Sequence, residues 1–167
     1  MKFNLANKEA VITGAASGIG KAIATTFAQQ GATVHLVDLD KQKLKILSKT
    51  IEDNGGKAIS HLCDVQEENN VQKIFESIHA MDVLINNAGV GITGPLEEIP
   101  ITEIEKHFKT NLYGPINLIK TVLPYMRKNN SGLIINITSI AGHIGTPFRS
   151  IYSSGKSSET NSFILKF

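Results

Sequence analysis

Short apolar runs alternate along the whole chain with stretches of helical spacing, and this alternation predicts the element order. Residues 9–12 form a first strand, and residues 18–30 a helix with Ile19, Ile23 and Phe27 on one face, ended by Gly31. Residues 33–37 read as a strand ending at Asp38. Residues 41–53 read as a helix with Leu44, Leu47 and Ile51 inward, closed by Asn54-Gly55-Gly56. A third strand covers 57–63, followed by a helix over 67–78 whose stripe is Val71, Ile74, Phe75 and Ile78. The fully apolar run 83–85 leads into Asn86-Asn87-Ala88-Gly89. A long helical stretch spans about 102–128, with a kink or break expected at Pro115. Residues 133–137 give a fifth strand, and a last helix starts at about residue 151.

Apolar strands alternating with amphipathic helices mean a parallel sheet covered on both faces. The expected fold class is therefore α/β, a doubly wound sheet that takes ligands at the carboxyl ends of its strands. No Pro/Gly/Ser-rich linker divides the chain, so residues 1–167 read as one domain. The first strand ends in Thr13-Gly14-Ala15-Ala16-Ser17-Gly18-Ile19-Gly20. Glycines there let the backbone turn tightly and approach a ligand, and the helix that follows aims unpaired amides and a positive dipole end into the same turn. Such a loop suits a pyrophosphate, although an ordinary strand-to-helix turn has the same pattern.

Composition narrows the class. Hydrophobic residues at 41% and charged residues at 19% describe a globular chain, and a net charge of +2 without a basic run gives no reason to expect nucleic acid. No apolar run of about 18 residues is present to cross a membrane. The single cysteine, Cys63, and a polar first segment with Asn4, Asn7, Lys8 and Glu9 give the expectation of a cytoplasmic protein.

Candidate chemistry gathers at the predicted strand ends. Asp38 closes the second strand, where a carboxylate can accept hydrogen bonds from ribose hydroxyls. It would repel a 2′-phosphate, and Ser17 brings no positive charge, so NAD is preferred over NADP. Tyr152 and Lys156, four apart, share one helix face, and an ammonium beside a phenol favours the phenolate. Such a tyrosine can exchange a proton with a carbinol oxygen. Ser139 adds a hydroxyl at the end of the fifth strand. His35, His61, His79, His107 and His143 lack metal-ligand spacing and read as structural or solvated, as does Cys63 as a small buried hydrophobe; no metal site is expected. His143 and Phe148 read equally well as cleft lining or loop surface.

Thr13-Gly14-x-x-x-Gly18-Ile19-Gly20, Asp64-Val65, Asn86-Asn87-Ala88-Gly89, Asn111, Ser139 and Tyr152-x-x-x-Lys156 together resemble the short-chain dehydrogenase/reductase family over nearly the whole chain. The resemblance implies a Rossmann fold, a nicotinamide cofactor, a small alcohol or ketone substrate and a homo-oligomer. It implies that Gly14, Ser17, Gly18, Ile19 and Gly20 line the pyrophosphate and that Asp38 meets the adenosine ribose. Asp64 and Val65 would flank the adenine, and Asn87, Ala88 and Gly89 the floor beside the ribose. Tyr152 would be the general acid/base, Ser139 would hold the substrate oxygen, and Lys156 would lower the tyrosine pKa and bind the nicotinamide ribose. Asn111 would anchor a water linking Lys156 to solvent.

The chain stops 11 residues after Lys156, where members of that family continue with further strands and a substrate-covering loop. The expectation is a C-terminally truncated member with an apolar fifth-strand edge and an apolar tail at residues 163–167, prone to associate. Cofactor binding should then survive better than turnover. A non-catalytic nucleotide-binding or assembly module derived from the family is the alternative.

Overall fold

The structure, a computed structural model, describes residues 4–78 and 81–162; His79 and the apolar segment 163–167 lie outside them. Five strands, β1 (Glu9–Thr13), β2 (Thr33–Asp38), β3 (Lys57–Leu62), β4 (Val83–Asn86) and β5 (Leu133–Asn136), form one parallel sheet in the order β3-β2-β1-β4-β5. The helices are α1 (Gly18–Gln29), α2 (Lys41–Asp53), α3 (Glu68–Glu76), α4 (Ile101–Phe108), α5 (Gly114–Lys128) and α6 (Ser150–Ser162). The doubly wound α/β fold read from the alternation is the fold observed. The chain leaves β1 toward β2 on one side and reaches β4 on the other, so the order reverses between β1 and β4. That reversal opens a crevice at the carboxyl ends of the two strands.

Each face of the sheet carries its own core. Val11, Val37 and Leu84 pack against Val71, Ile74 and Phe75 of α3 and Leu118, Val122 and Met126 of α5. On the other face, Ile12, Val34, Leu36 and Ile85 pack against α1 and against Leu44, Leu47 and Ile51 of α2. Strand β1 is buried on both faces, which is why its sequence is a continuous apolar run.

Two local readings change. Helix α1 turns Gly20, Ala24 and Ala28 inward, with Ile23 and Phe27 at the flank. Ile19 is 60% exposed, because the small residues allow the helix to approach the sheet and leave Ile19 at the mouth of the crevice. The helical stretch expected over 102–128 is interrupted between α4 and α5 by a π-helical turn, Lys109–Tyr113, and Pro115 follows directly after it as the second residue of α5. A second proline, Pro124, lies on the exposed side of α5, where water can serve the carbonyl left unpaired.

The histidines read singly in sequence meet across the sheet. Buried His35 bonds through Nε2 to Glu9 Oε2 at 2.8 Å and through Nδ1 to His61 Nε2 at 2.9 Å, and the two rings stack with centroids 5.2 Å apart. His35 Nε2 donates to the Glu9 carboxylate, and one ring proton is shared between its Nδ1 and His61 Nε2. Burial, and then the neighbouring His35, push His61 down to about 4. Neutral His61 therefore contributes stability that is complete above about pH 6.5 and is lost as the pH falls toward 4. In urea denaturation, the stability of the wild type relative to His61→Asn should fall on the order of 1–2 kcal/mol between neutral and mildly acidic pH, the ring's partial exposure softening the effect. A difference that does not change with pH would count against this account.

Candidate functional site

Thr13, the last residue of β1, joins the two sides of the crevice. Its hydroxyl accepts from the backbone N–H of Asn87 and of Ala88, both at 3.0 Å, and donates to the Ile85 carbonyl at 3.3 Å. The Asn87 side-chain amide returns the contact, donating to the carbonyls of Thr13 at 2.9 Å and Gly14 at 3.2 Å. The turn that follows β1 needs its glycines for two different reasons. Gly14 and Gly18 have φ of +63° and +51°, in the left-handed region that favours glycine. Gly20 instead lies against the Gly14 carbonyl and the Asn87 amide, leaving no room for a Cβ.

Over this turn lies a cavity of about 560 Å³. Gly14, Ser17, Gly18 and Ile19 line one wall, Asp38, Asp64 and Val65 the second, and Asn87, Ala88 and Gly89 the floor. Asp38 is fixed by backbone amides, its Oδ2 accepting from Ala16 N–H and its Oδ1 from Asp40 N–H, each at 3.0 Å. Asp64 is held likewise, accepting from Gln66 N–H at 3.0 Å. Cys63 also borders the cavity; burial and the adjacent Asp64 push its thiol up to about 11, so it is no thiolate at neutral pH. Leu39, Gln66, Thr110 and Lys106 also line it, and no sequence signal marked them.

A second cavity, about 230 Å³, adjoins the first and shares Ile19, Asn87, Gly89 and Val90 with it. Tyr152, Lys156 and Arg149 border it, with Ile137 and Thr138 from the segment after β5. The Lys156 ammonium donates to the Ile137 carbonyl at 3.0 Å and to Glu159 Oε2 at 2.6 Å. A Cβ built on Gly89 lies 3.7 Å from Lys156 Nζ and 3.3 Å from Asn111 Oδ1, so both polar groups face that glycine.

Asn111 sits in the π-helical turn, fully buried, and clamps the backbone of Val90: its Oδ1 accepts from Val90 N–H at 2.8 Å and its Nδ2 donates to the Val90 carbonyl at 2.9 Å. Such turns are frequent at functional sites. Ser139 borders neither cavity; its hydroxyl accepts from Ala141 N–H at 3.2 Å, capping a single 3₁₀ turn, Ile140–Gly142. His107, read as structural or solvated, is buried beside the site. Its Nδ1 meets the Val90 carbonyl at 3.1 Å, and its ring lies 5.9 Å from that of Tyr152. The ring fits only because Gly155 on α6 has no side chain. Burial holds His107 below the usual imidazole range despite the Val90 bond, and the Lys156 charge adds to the effect.

Turn geometry, a carboxylate at the end of β2 and a Tyr-Lys pair after β5 meet along one crevice. The short chain dehydrogenase family profile matches residues 8–163. The chain belongs to this family. A Thermotoga maritima protein known as an uncharacterized oxidoreductase is 38% identical over 156 residues, covering 92% of this chain and 62% of the relative. A 3-oxoacyl-[acyl-carrier-protein] reductase, FabG, of the same organism is 36% identical over 92% of this chain and 64% of its own length. The chain thus spans a little under two thirds of these two relatives. Among solved structures, a metagenomic short-chain oxidoreductase in complex with NADP superposes with a TM-score of 0.91 at 34% identity, covering 95% of this chain and 74% of the other. A Burkholderia phymatum short chain dehydrogenase/reductase in complex with NAD gives a TM-score of 0.91 at 31% identity, with coverages of 96% and 59%.

Thr13 stands at the head of the glycine motif, but no role for it was read from the sequence; its bonds to the chain leaving β4 are seen only in the fold. Thr13→Val leaves two buried N–H groups without an acceptor and should cost about 2–4 kcal/mol in urea denaturation, while Thr13→Ser stays within about 1 kcal/mol. Equal losses in the two variants would show that the methyl group, and not the hydroxyl, holds the strands.

Proposed function

We propose that this chain carries the cofactor site and the proton-transfer residues of an NAD(H)-dependent oxidoreductase that interconverts a small alcohol and its ketone or aldehyde. The observation that carries this reading is the continuity of the two cavities: a glycine turn and a carboxylate border one, a tyrosine and a lysine the other. The residues fit a dinucleotide. The space over Gly14 and Gly18 is open to a diphosphate beside the amides of α1, and the fixed Asp38 carboxylate retains lone pairs for ribose hydroxyls. Asp64 and Val65 suit the adenine edge, and Gly89 leaves room beside Lys156 for the second ribose. A nicotinamide bound there supplies the hydride chemistry.

The chain's own part is positioning and proton transfer. Tyr152 passes its phenolic proton to the substrate oxygen on reduction and recovers it on oxidation. The Lys156 ammonium borders the same cavity as Tyr152, and Asn111 sets the Val90 backbone that forms the shared wall. We assign substrate-oxygen binding to Ser139, whose hydroxyl can donate while it accepts from Ala141. In this reading the protein is cytoplasmic, as its single cysteine suggests, and a homo-oligomer, as the family resemblance suggests.

NAD(H) should bind several-fold more tightly than NADP(H) by calorimetry, since the Asp38 carboxylate would repel a 2′-phosphate. Asp38→Ser should erase the difference. Equal affinities in the wild type would remove Asp38 from the ribose.

Replacing Tyr152 by Phe should lower ketone reduction about 10²- to 10⁴-fold while NAD(H) affinity stays within about twofold. Activity that persists in Tyr152→Phe would overturn the assigned chemistry.

A further inference from the structure

Tyr152, Lys156 and Glu159 stand at positions i, i+4 and i+7 of α6, one above another on a single helix face. The middle residue is a buried ammonium, and the third is a carboxylate only 2% exposed, in contact at 2.6 Å. A carboxylate this deep is uncommon unless paired, and the chemistry assigned above makes no use of it. We propose that Glu159 is a positioning residue of the proton-transfer site: its carboxylate fixes the Lys156 ammonium against the Ile137 carbonyl, and its negative charge tempers the pull of that ammonium on the Tyr152 hydroxyl. The inference rests on the assignment of Tyr152 and Lys156 to proton transfer.

Geometry supports both halves. The carbonyl of Ile137 and Oε2 of Glu159 take two of the protons of Nζ, so the ammonium is held at a fixed height on the helix. Seven residues of helix place Glu159 about 10 Å from Tyr152, near enough for a charge in a poorly solvated site to be felt. Among the described residues, two other titratable side chains lie against the Tyr152 ring. Arg149 lies over the Tyr152 ring at 5.5 Å from its centroid, and His107 from α4 lies against the same ring. The π-helical turn brings the neutral amide of Asn111 to Gly89, beside Lys156 Nζ. Burial holds His107 below the usual imidazole range, and among the described residues Arg149, Lys156 and Glu159 are the charged groups of this row.

For Glu159 to act in this way it must be ionised. Burial raises its carboxyl above the ordinary range, while the bond to Lys156 and the attraction of that charge pull it back. The decisive measurement is therefore made on the chain without cofactor, so that it stands apart from any test of NAD(H) binding or turnover. Tyr152 ionisation is read as phenolate absorbance, isolated by subtracting the matched Tyr152→Phe chain from each variant. In Glu159→Gln the midpoint should fall by about one pH unit, and in Glu159→Asp it should return toward the wild type. A midpoint unchanged or raised in Glu159→Gln overturns the proposal. If that variant does not fold, the carboxyl carbon resonance of Glu159 in the ¹³C-labelled wild type decides the matter. An ionised carboxylate at pH 7.5 supports the proposal, and a protonated acid there overturns it.

Discussion

The reciprocal contact between Thr13 and Asn87 is the constraint on which the rest of the site depends. Two parallel strands that neighbour each other but are far apart in sequence must end at the same level for a crevice to form between them. Thr13 accepts two N–H groups from the chain leaving β4, and Asn87 donates to two carbonyls at the end of β1. Four backbone groups at the two strand ends thereby gain a side-chain partner. With this clamp closed, Gly14 must turn left-handed and Gly20 must lie against its carbonyl. The cavity above is the space these constraints leave.

A second junction carries the other half of the crevice. Helix α6 approaches α4 and the π-helical turn at Gly155, where the His107 ring occupies the volume of a missing side chain. Asn111 holds both backbone groups of Val90, and His107 shares the Val90 carbonyl. This knot of buried polar contacts fixes the height of α6 relative to the strand ends. Tyr152 and Lys156 then border the cavity that begins where the glycine turn leaves off. Alignment of reacting groups before a substrate arrives is among the larger contributions that a protein can make to a reaction rate.

Charge is used sparingly. The outer cavity places carboxylates, Asp38 and Asp64, where backbone amides hold them in fixed orientations, and the inner cavity places cations, Arg149 and Lys156. Buried charges of both kinds have partners, as desolvation requires. The Lys156–Glu159 pair is the deepest of these, with side chains 7% and 2% exposed.

The alternation of strands and helices was legible in the sequence because strand burial demands continuous apolar runs, while surface helices demand an apolar stripe. The glycine turn, Asp38 and the Tyr-Lys spacing were legible too, since each is a local pattern whose geometry follows from a few consecutive residues or one helix face. The inward face of α1 was misjudged, because sequence ranks Ile19 above Gly20, whereas close packing against Gly14 and Asn87 favours the residue with no side chain. Partners distant in the chain were not legible. Nothing local says that His35 meets Glu9 and His61, that Thr13 meets Asn87, or that His107 needs Gly155. Glu159 shows the division within a single helix. Its spacing from Lys156 was written in the sequence, but only the packing around α6 buried the pair and made a solvated helix face into a charge-bearing part of the site.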